Sequence, residues 1–181
     1  MMNRVVNEKD YQRYIISYLV SQNGYIERKA AQYDKGLAMD REVLFRFLED
    51  TQAEAMAVLR KIYGPQTEQA ILSTINMQIT SASSSQIETL KSGIELNGHH
   101  LTLLYGQPAT RINPDLWALY EKNIFSVMEE VWINDKQRID LVIFVNGIAV
   151  ISFELKCEMS GQDYRDAVKQ YSEDRDAKNR L

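Results

Sequence analysis

Residues 139–156 read IDLVIFVNGIAVISFELK, and their interpretation decides the fold. Two apolar runs flank Asn146-Gly147, a dipeptide suited to tight β-hairpin turns because both residues tolerate positive φ. Strands this apolar are buried on both faces or packed on one. Three ionisable residues lie in or beside them: Asp140, Glu154 and Lys156. A carboxylate there is costly unless it is solvated, paired or bound to a cation. Glu154 and Lys156 are two apart on a strand and share a face. Two carboxylates and an ammonium on one patch suit a hard divalent metal acting on a phosphodiester. Asp140 and Glu154 would be oxygen ligands for Mg²⁺. Lys156 would orient a water or offset charge developing in the transition state. Taken without their surroundings, the three residues fit a structural ion-pair cluster equally well.

The hairpin register imposes a condition on the metal reading. A plain two-residue turn pairing Val145 with Ile148 sets Asp140 opposite Phe153 and Glu154 opposite Ile139. The two carboxylates then point to opposite faces. A three-residue loop, Val145-Asn146-Gly147, with a bulge at Gly147 shifts the register by one and unites them. The expectation is therefore that loop, or a bulge elsewhere with the same effect.

Outside this stretch the pattern is helices first and strands later. Tyr11, Tyr14, Ile15, Tyr18 and Leu19 mark an amphipathic helix over 8–22, with Asn7 as N-cap and Asn23-Gly24 as stop. A second helix starts near Asp40, carries Leu44, Phe47, Leu48, Ala55, Val58, Leu59 and Ile62 on one face, and ends at Gly64-Pro65. Pro65 opens a third helix with Ile71, Ile75 and Ile79 in one row. The serine-rich residues 81–85 form a linker. Ile94, Leu96, Leu101, Leu103 and Tyr105 then alternate around Asn97-Gly98 as a hairpin. Residues 114–123 form a short helix or loop, residues 125–133 a strand, and residues 162–174 a last helix with Tyr164, Ala167, Val168 and Tyr171 on one face. This order predicts an α/β fold in which a mixed sheet is flanked by helices. It divides into a helical part, residues 1–93, and a sheet-bearing core, residues 94–181.

Bulk composition narrows the function. A chain of 181 residues with 45% hydrophobic and 25% charged residues suits one soluble domain with a helical annex. Its net charge of −4 gives no global signal for nucleic acid, so any such role rests on a local site. The single cysteine, Cys157, excludes an internal disulfide framework and fits a reducing cytosol; it reads as a small buried hydrophobe. No apolar run is long enough for a membrane span. No phosphate-binding GxxxxGK[ST] loop is present, which excludes ATP binding of that kind. His99 and His100 read as turn residues rather than metal ligands.

The pattern of Asp140 with Glu154-Leu155-Lys156 fourteen residues on resembles the PD-(D/E)xK nuclease signature. RIDLVIFVNGIAVISFELK (138–156) and SGQDYRDAVKQYSEDRD (160–176) together resemble the N-terminal nuclease segment of the restriction subunit of type I restriction–modification enzymes. NGYIERKAAQYD (23–34), FLEDTQ (47–52) and YEKNIFSV (120–127) are similar to that family too. The resemblance implies a restriction-endonuclease-like core and Mg²⁺-dependent endonucleolytic cleavage of double-stranded DNA. Asp140 and Glu154 would be its metal ligands and Lys156 its catalytic lysine. It also implies a glutamine–tyrosine motif on the next helix. Gln170 matches the glutamine, but Asp174 stands where the tyrosine would fall, leaving Tyr171 and Tyr164 as alternatives. Glu8, which also suits a helix first turn, or the Gln12 position would match an acidic residue of the family's first helix.

Further implications concern what surrounds the domain. The chain would be a fragment of a longer prokaryotic cytoplasmic subunit whose ATP-driven, helicase-like motor follows it, so ATP would act only through that motor. Partners would be double-stranded DNA and the specificity and methylation subunits of the complex. The alternative is a non-catalytic module that senses DNA and docks on the translocase.

Overall fold

A computed structural model describes residues 7–81 and 85–156. Most of the serine-rich segment, Cys157 and the expected helix at 162–174, with Tyr164, Gln170 and Tyr171, lie outside the described residues. A four-stranded mixed sheet organises the rest: β1 (Ile26–Arg28), β4 (Phe125–Trp132), β5 (Arg138–Val145) and β6 (Ile148–Phe153), in the order β1-β4-β5-β6. β1 runs parallel to β4, and the other pairs are antiparallel. The fold is α/β, as expected, and compatible with a restriction-endonuclease-like core. No helix among the described residues is long and apolar enough to cross a membrane.

The helix α1 (Glu8–Asn23) lies on one face of the sheet. Asn7 caps it by accepting from the Asp10 N–H at 2.8 Å, and Gly24 ends it at φ 71°. Its inward stripe differs from the tyrosine-rich one expected. Ile16 is buried with Val127, Leu141, Ile143 and Leu155, and Ile15 and Leu19 pack beside them. Tyr11, Tyr14 and Tyr18 are half or more exposed, Tyr14 and Tyr18 facing each other at 6.5 Å. Gln12 is buried, its amide donating to Glu129 Oε2 at 3.1 Å. A satisfied amide can go inside while a phenol with a polar tip stays wet, and periodicity alone does not rank the two.

On the opposite face Met128, Val142, Phe144 and Ala149 pack with Tyr33 and Ala38, the rings of Tyr33 and Phe144 meeting edge-on at 6.1 Å. The third and largest cluster belongs to the annex. It joins α2 (Arg41–Tyr63), α3 (Thr67–Ile79), α4 (Gln86–Ser92) and the hairpin β2–β3 (Ile94–Leu96, His99–Leu101) to Met39 and Ile148. That hairpin turns on Asn97 and Gly98, both at positive φ, and is shorter than the alternation to Tyr105 implies. A seven-residue helix, α5 (Pro114–Tyr120), precedes β4.

α2 does not hold one face throughout. Gln52 leaves helical geometry (φ −142°, ψ 40°), and its side-chain amide pairs with the Thr102 backbone in both directions, at 2.9 and 2.8 Å. The kink rotates the second half. Met56 and Leu59 are buried there, whereas Val58 and Ile62, which an unbroken 3.6 period places inside, are exposed.

The annex is fastened to the sheet at two buried points. Asp40, fully buried, caps α2 through the Val43 N–H at 3.2 Å and accepts two hydrogen bonds from Arg28 of β1, at 2.7 and 3.2 Å. Arg28 also reaches the exposed Glu42 at 2.7 Å. Removing Asp40's charge leaves a largely buried guanidinium poorly matched. Asp40→Asn should therefore lower unfolding free energy by about 2–3 kcal/mol, measured by urea denaturation. Glu42 is held below its ordinary 4.5 mainly by the Arg28 hydrogen bond. A depressed carboxyl contributes stability above its unfolded value and loses it as pH falls through the folded value. The acid limb below about pH 4.5 should thus be shallower in Glu42→Gln.

The second point is the β5–β6 turn. Asn146, buried, accepts from the Ile124 N–H at 2.6 Å and donates to the Leu103 carbonyl at 2.8 Å and Asn123 Oδ1 at 2.9 Å. Asn123 in turn holds the Tyr105 carbonyl at 2.7 Å. One polar node fixes the hairpin turn against two loops.

Candidate active site

The turn at Asn146-Gly147 is a two-residue one, with φ of 50° and 82° and Val145 paired with Ile148. The three-residue loop expected from the sequence does not form, because both residues take the left-handed conformation that a tight turn needs. The register nevertheless shifts. Phe144 pairs with Ala149, but Ile143 pairs with Ile151, so Val150 is the extra residue of a bulge in β6. Beyond it Val142 pairs with Ser152 and Leu141 with Phe153. One further step in this register would set Asp140 across from Glu154, but β6 ends at Phe153.

The chain leaves the ladder at Phe153, and side-chain hydrogen bonding takes over. The Leu155 backbone N–H donates to Asp140 Oδ2 at 2.7 Å. Leu155 is anchored from the other side as well, its side chain packed with Ile16, Val127, Leu141 and Ile143. The apolar middle residue of Glu154-Leu155-Lys156 is thus clamped between a core and the Asp140 carboxylate. Asp140, Glu154 and Lys156 themselves are half-buried.

Asp140 sits at an irregularity in the sheet. Leu141 and Ile143 pack on the α1 face, but Ile139 joins Val142 and Phe144 on the other. Strict alternation would put Ile139 with Leu141, so it breaks at Asp140. Across the ladder Glu129 pairs with Leu141 and Val131 with Ile139. The residue between them, Glu130, has φ 57°. A non-glycine residue in that region costs about 1–2 kcal/mol. Its carboxylate is in close contact with the Arg138 guanidinium, both side chains more than a third exposed. An ion pair of that exposure contributes about 0–1 kcal/mol and does not offset the strain. Sequence reading passes over Glu130 and Arg138. The available signal was two successive glutamates inside an otherwise apolar strand.

Of the other expected residues, Glu8 occupies the first turn of α1. Ile16 contacts Val127 and Gln12 contacts Glu129, so α1 advances along β4 toward its Trp132 end. One further turn, about 6 Å, carries Glu8 toward the end of the sheet that holds Asp140. His99 and His100 belong to β3, where His100 Nδ1 lies 2.7 Å from Glu95 Oε1 across the hairpin. Gln170 is outside the described residues. Among the described residues no group of three or more His, Cys, Asp or Glu side chains gathers as a metal cage. What the described residues offer is smaller, the carboxylates of Asp140 on β5 and Glu154 just past the end of β6. Such a donor set is oxygen-only and incomplete, which fits a cation that keeps several waters. A carboxylate has about four lone-pair sites, and the Leu155 amide takes one of Asp140's.

The sheet is mixed, with Asp140 in one strand and Glu154-Leu155-Lys156 just after the end of its hairpin partner. The chain matches the family described as the type I restriction enzyme R protein N terminus over residues 6–181, and it belongs to that family. Membership points to the nuclease domain of a type I restriction enzyme. Neither a curated protein nor a solved structure matches the chain significantly.

Proposed function

We propose that this chain is the Mg²⁺-dependent endonuclease domain of a type I restriction enzyme and hydrolyses phosphodiesters of double-stranded DNA. The observation that carries the reading is the hydrogen bond from the Leu155 N–H to Asp140, which ties the aspartate to the Glu154-Leu155-Lys156 segment. Asp140 and Glu154 would hold the cation, which when bound supplies charge stabilisation for the phosphate and acidifies a water. The Lys156 ammonium, two residues beyond Glu154, would orient the attacking water and offset negative charge growing on the phosphate oxygens. The amide on Asp140 fixes the carboxylate before substrate arrives, so that little reorganisation remains at the moment of reaction.

On the same reading residues 1–93 are the helical part and residues 94–181 the core of one nuclease domain, and an ATP-driven motor completes the subunit. DNA delivered by a motor need not be held tightly by the nuclease, which suits a net charge of −4. Sequence selection would belong to the specificity subunit, with the methylation subunit alongside it.

The test is Mg²⁺ titration of the full 181-residue chain by calorimetry, against Asp140→Asn. The variant keeps an oxygen for the Leu155 amide but removes the charge. Saturable binding by the native chain, weakened about tenfold or more in the variant, is the expected result. Equal affinity in both would show that the cation binds elsewhere and would overturn the assignment.

A further inference from the structure

Glu130 combines a strained backbone, a solvent-accessible ion pair too weak to justify that strain, and a position on β4 between the partners of Leu141 and Ile139, the two neighbours of Asp140. Strain of this kind survives where the surroundings over-determine it, and it concentrates at functional sites. The partner explains what it does here. Arg138 precedes Asp140 by two residues on β5, about 6.6 Å along the strand, a span that an arginine side chain crosses. A guanidinium at that distance, lacking another partner, would take a carboxylate in a forked pair. Asp140 is the one carboxylate that β5 carries, and such a pair would occupy the oxygens a cation needs. Glu130 holds Arg138 instead.

We propose that Glu130 is a positioning residue of the Asp140–Glu154 site: by engaging Arg138 it keeps that guanidinium, and its positive charge, off Asp140. The inference rests on the reading of Asp140 and Glu154 as cation ligands. It assigns Glu130 no contact with substrate or metal.

A cycle of variants in the full chain tests it, with Mn²⁺ as the probe in calorimetry. Glu130→Gln should weaken Mn²⁺ binding about tenfold, the low end of what outer partners of a metal site contribute. Arg138→Gln added to it should restore affinity to within about threefold of native, because the competitor is gone. Arg138→Gln alone should bind at least as tightly as native. A merely structural Glu130 predicts the opposite, with the double variant as weak as the single one or weaker. Native affinity in Glu130→Gln, or no recovery in the double variant, overturns the proposal. Asp140→Asn separates the two levels. If it binds Mn²⁺ like the native chain, the site assignment itself fails. If it loses binding while Glu130→Gln keeps it, only the role of Glu130 fails.

Discussion

Lys156→Ala, introduced into the assembled restriction enzyme, should abolish DNA cleavage while ATP hydrolysis by the motor continues unchanged. A cationic donor aimed at developing phosphate charge contributes about 10²–10³-fold in rate when deleted singly. At a site with few protein ligands the loss should sit at the upper end. The substitution should leave the fold intact, because the clamp on the hairpin end is made by Leu155, through its amide to Asp140 and its side chain to Ile16 and Leu141. Lys156 is half-buried and contributes neither contact. Cleavage and ATP hydrolysis measured on the same preparation give the readout. Cleavage retained at native rate would leave the domain a DNA-sensing and coupling module on the translocase.

Gly147→Ala should be the most damaging single-methyl change in the described structure for stability. A β-carbon there would stand 2.3 Å from the Asp40 carbonyl oxygen and 2.7 Å from the Leu44 amide nitrogen, both backbone atoms. Neither can withdraw cheaply. The Asp40 N–H donates to the Gly147 carbonyl at 2.7 Å, and the Asp40 side chain caps α2 while bound to Arg28. Left-handed geometry adds about 1–2 kcal/mol for any side chain, overpacking commonly 1–3, and a lost helix cap about 1. The sum, about 4 kcal/mol or more, approaches the whole stability of a modest domain. Chemical denaturation should show the midpoint collapsing, or no cooperative transition at all. A loss under about 1 kcal/mol would mean that the turn and α2 are not locked together as described.

Much of the fold was legible because local chemistry dictated it. Asn7 and Asp40 cap helices, and Asn97-Gly98 and Asn146-Gly147 turn hairpins, all through residues acting locally. The apolar run of β5 also announced a central strand, buried on both faces. What was not legible depended on distant partners. The kink at Gln52 needs Thr102, fifty residues away, and without it Val58 and Ile62 look like core. Gln12 goes inside only because Glu129 receives it. The candidate residues could be named from the string around Asp140, but the bulge that aligns them could only be posed as a condition. No local signal in the sequence encodes its position at Val150.

That bulge has a consequence for comparing relatives. Glu154 stands fourteen positions after Asp140, an even step, and a hairpin closed by a two-residue turn aligns positions an odd number apart. Val150 corrects the parity. If the two acids form one site as proposed, the quantity to be preserved is therefore not the spacing itself but the parity of spacing plus bulges. A relative with thirteen or fifteen intervening steps and a regular hairpin would present the same pair of acids, whereas one with fourteen and no bulge would not. Alignments that score the motif by fixed distance will miss the first kind and accept the second.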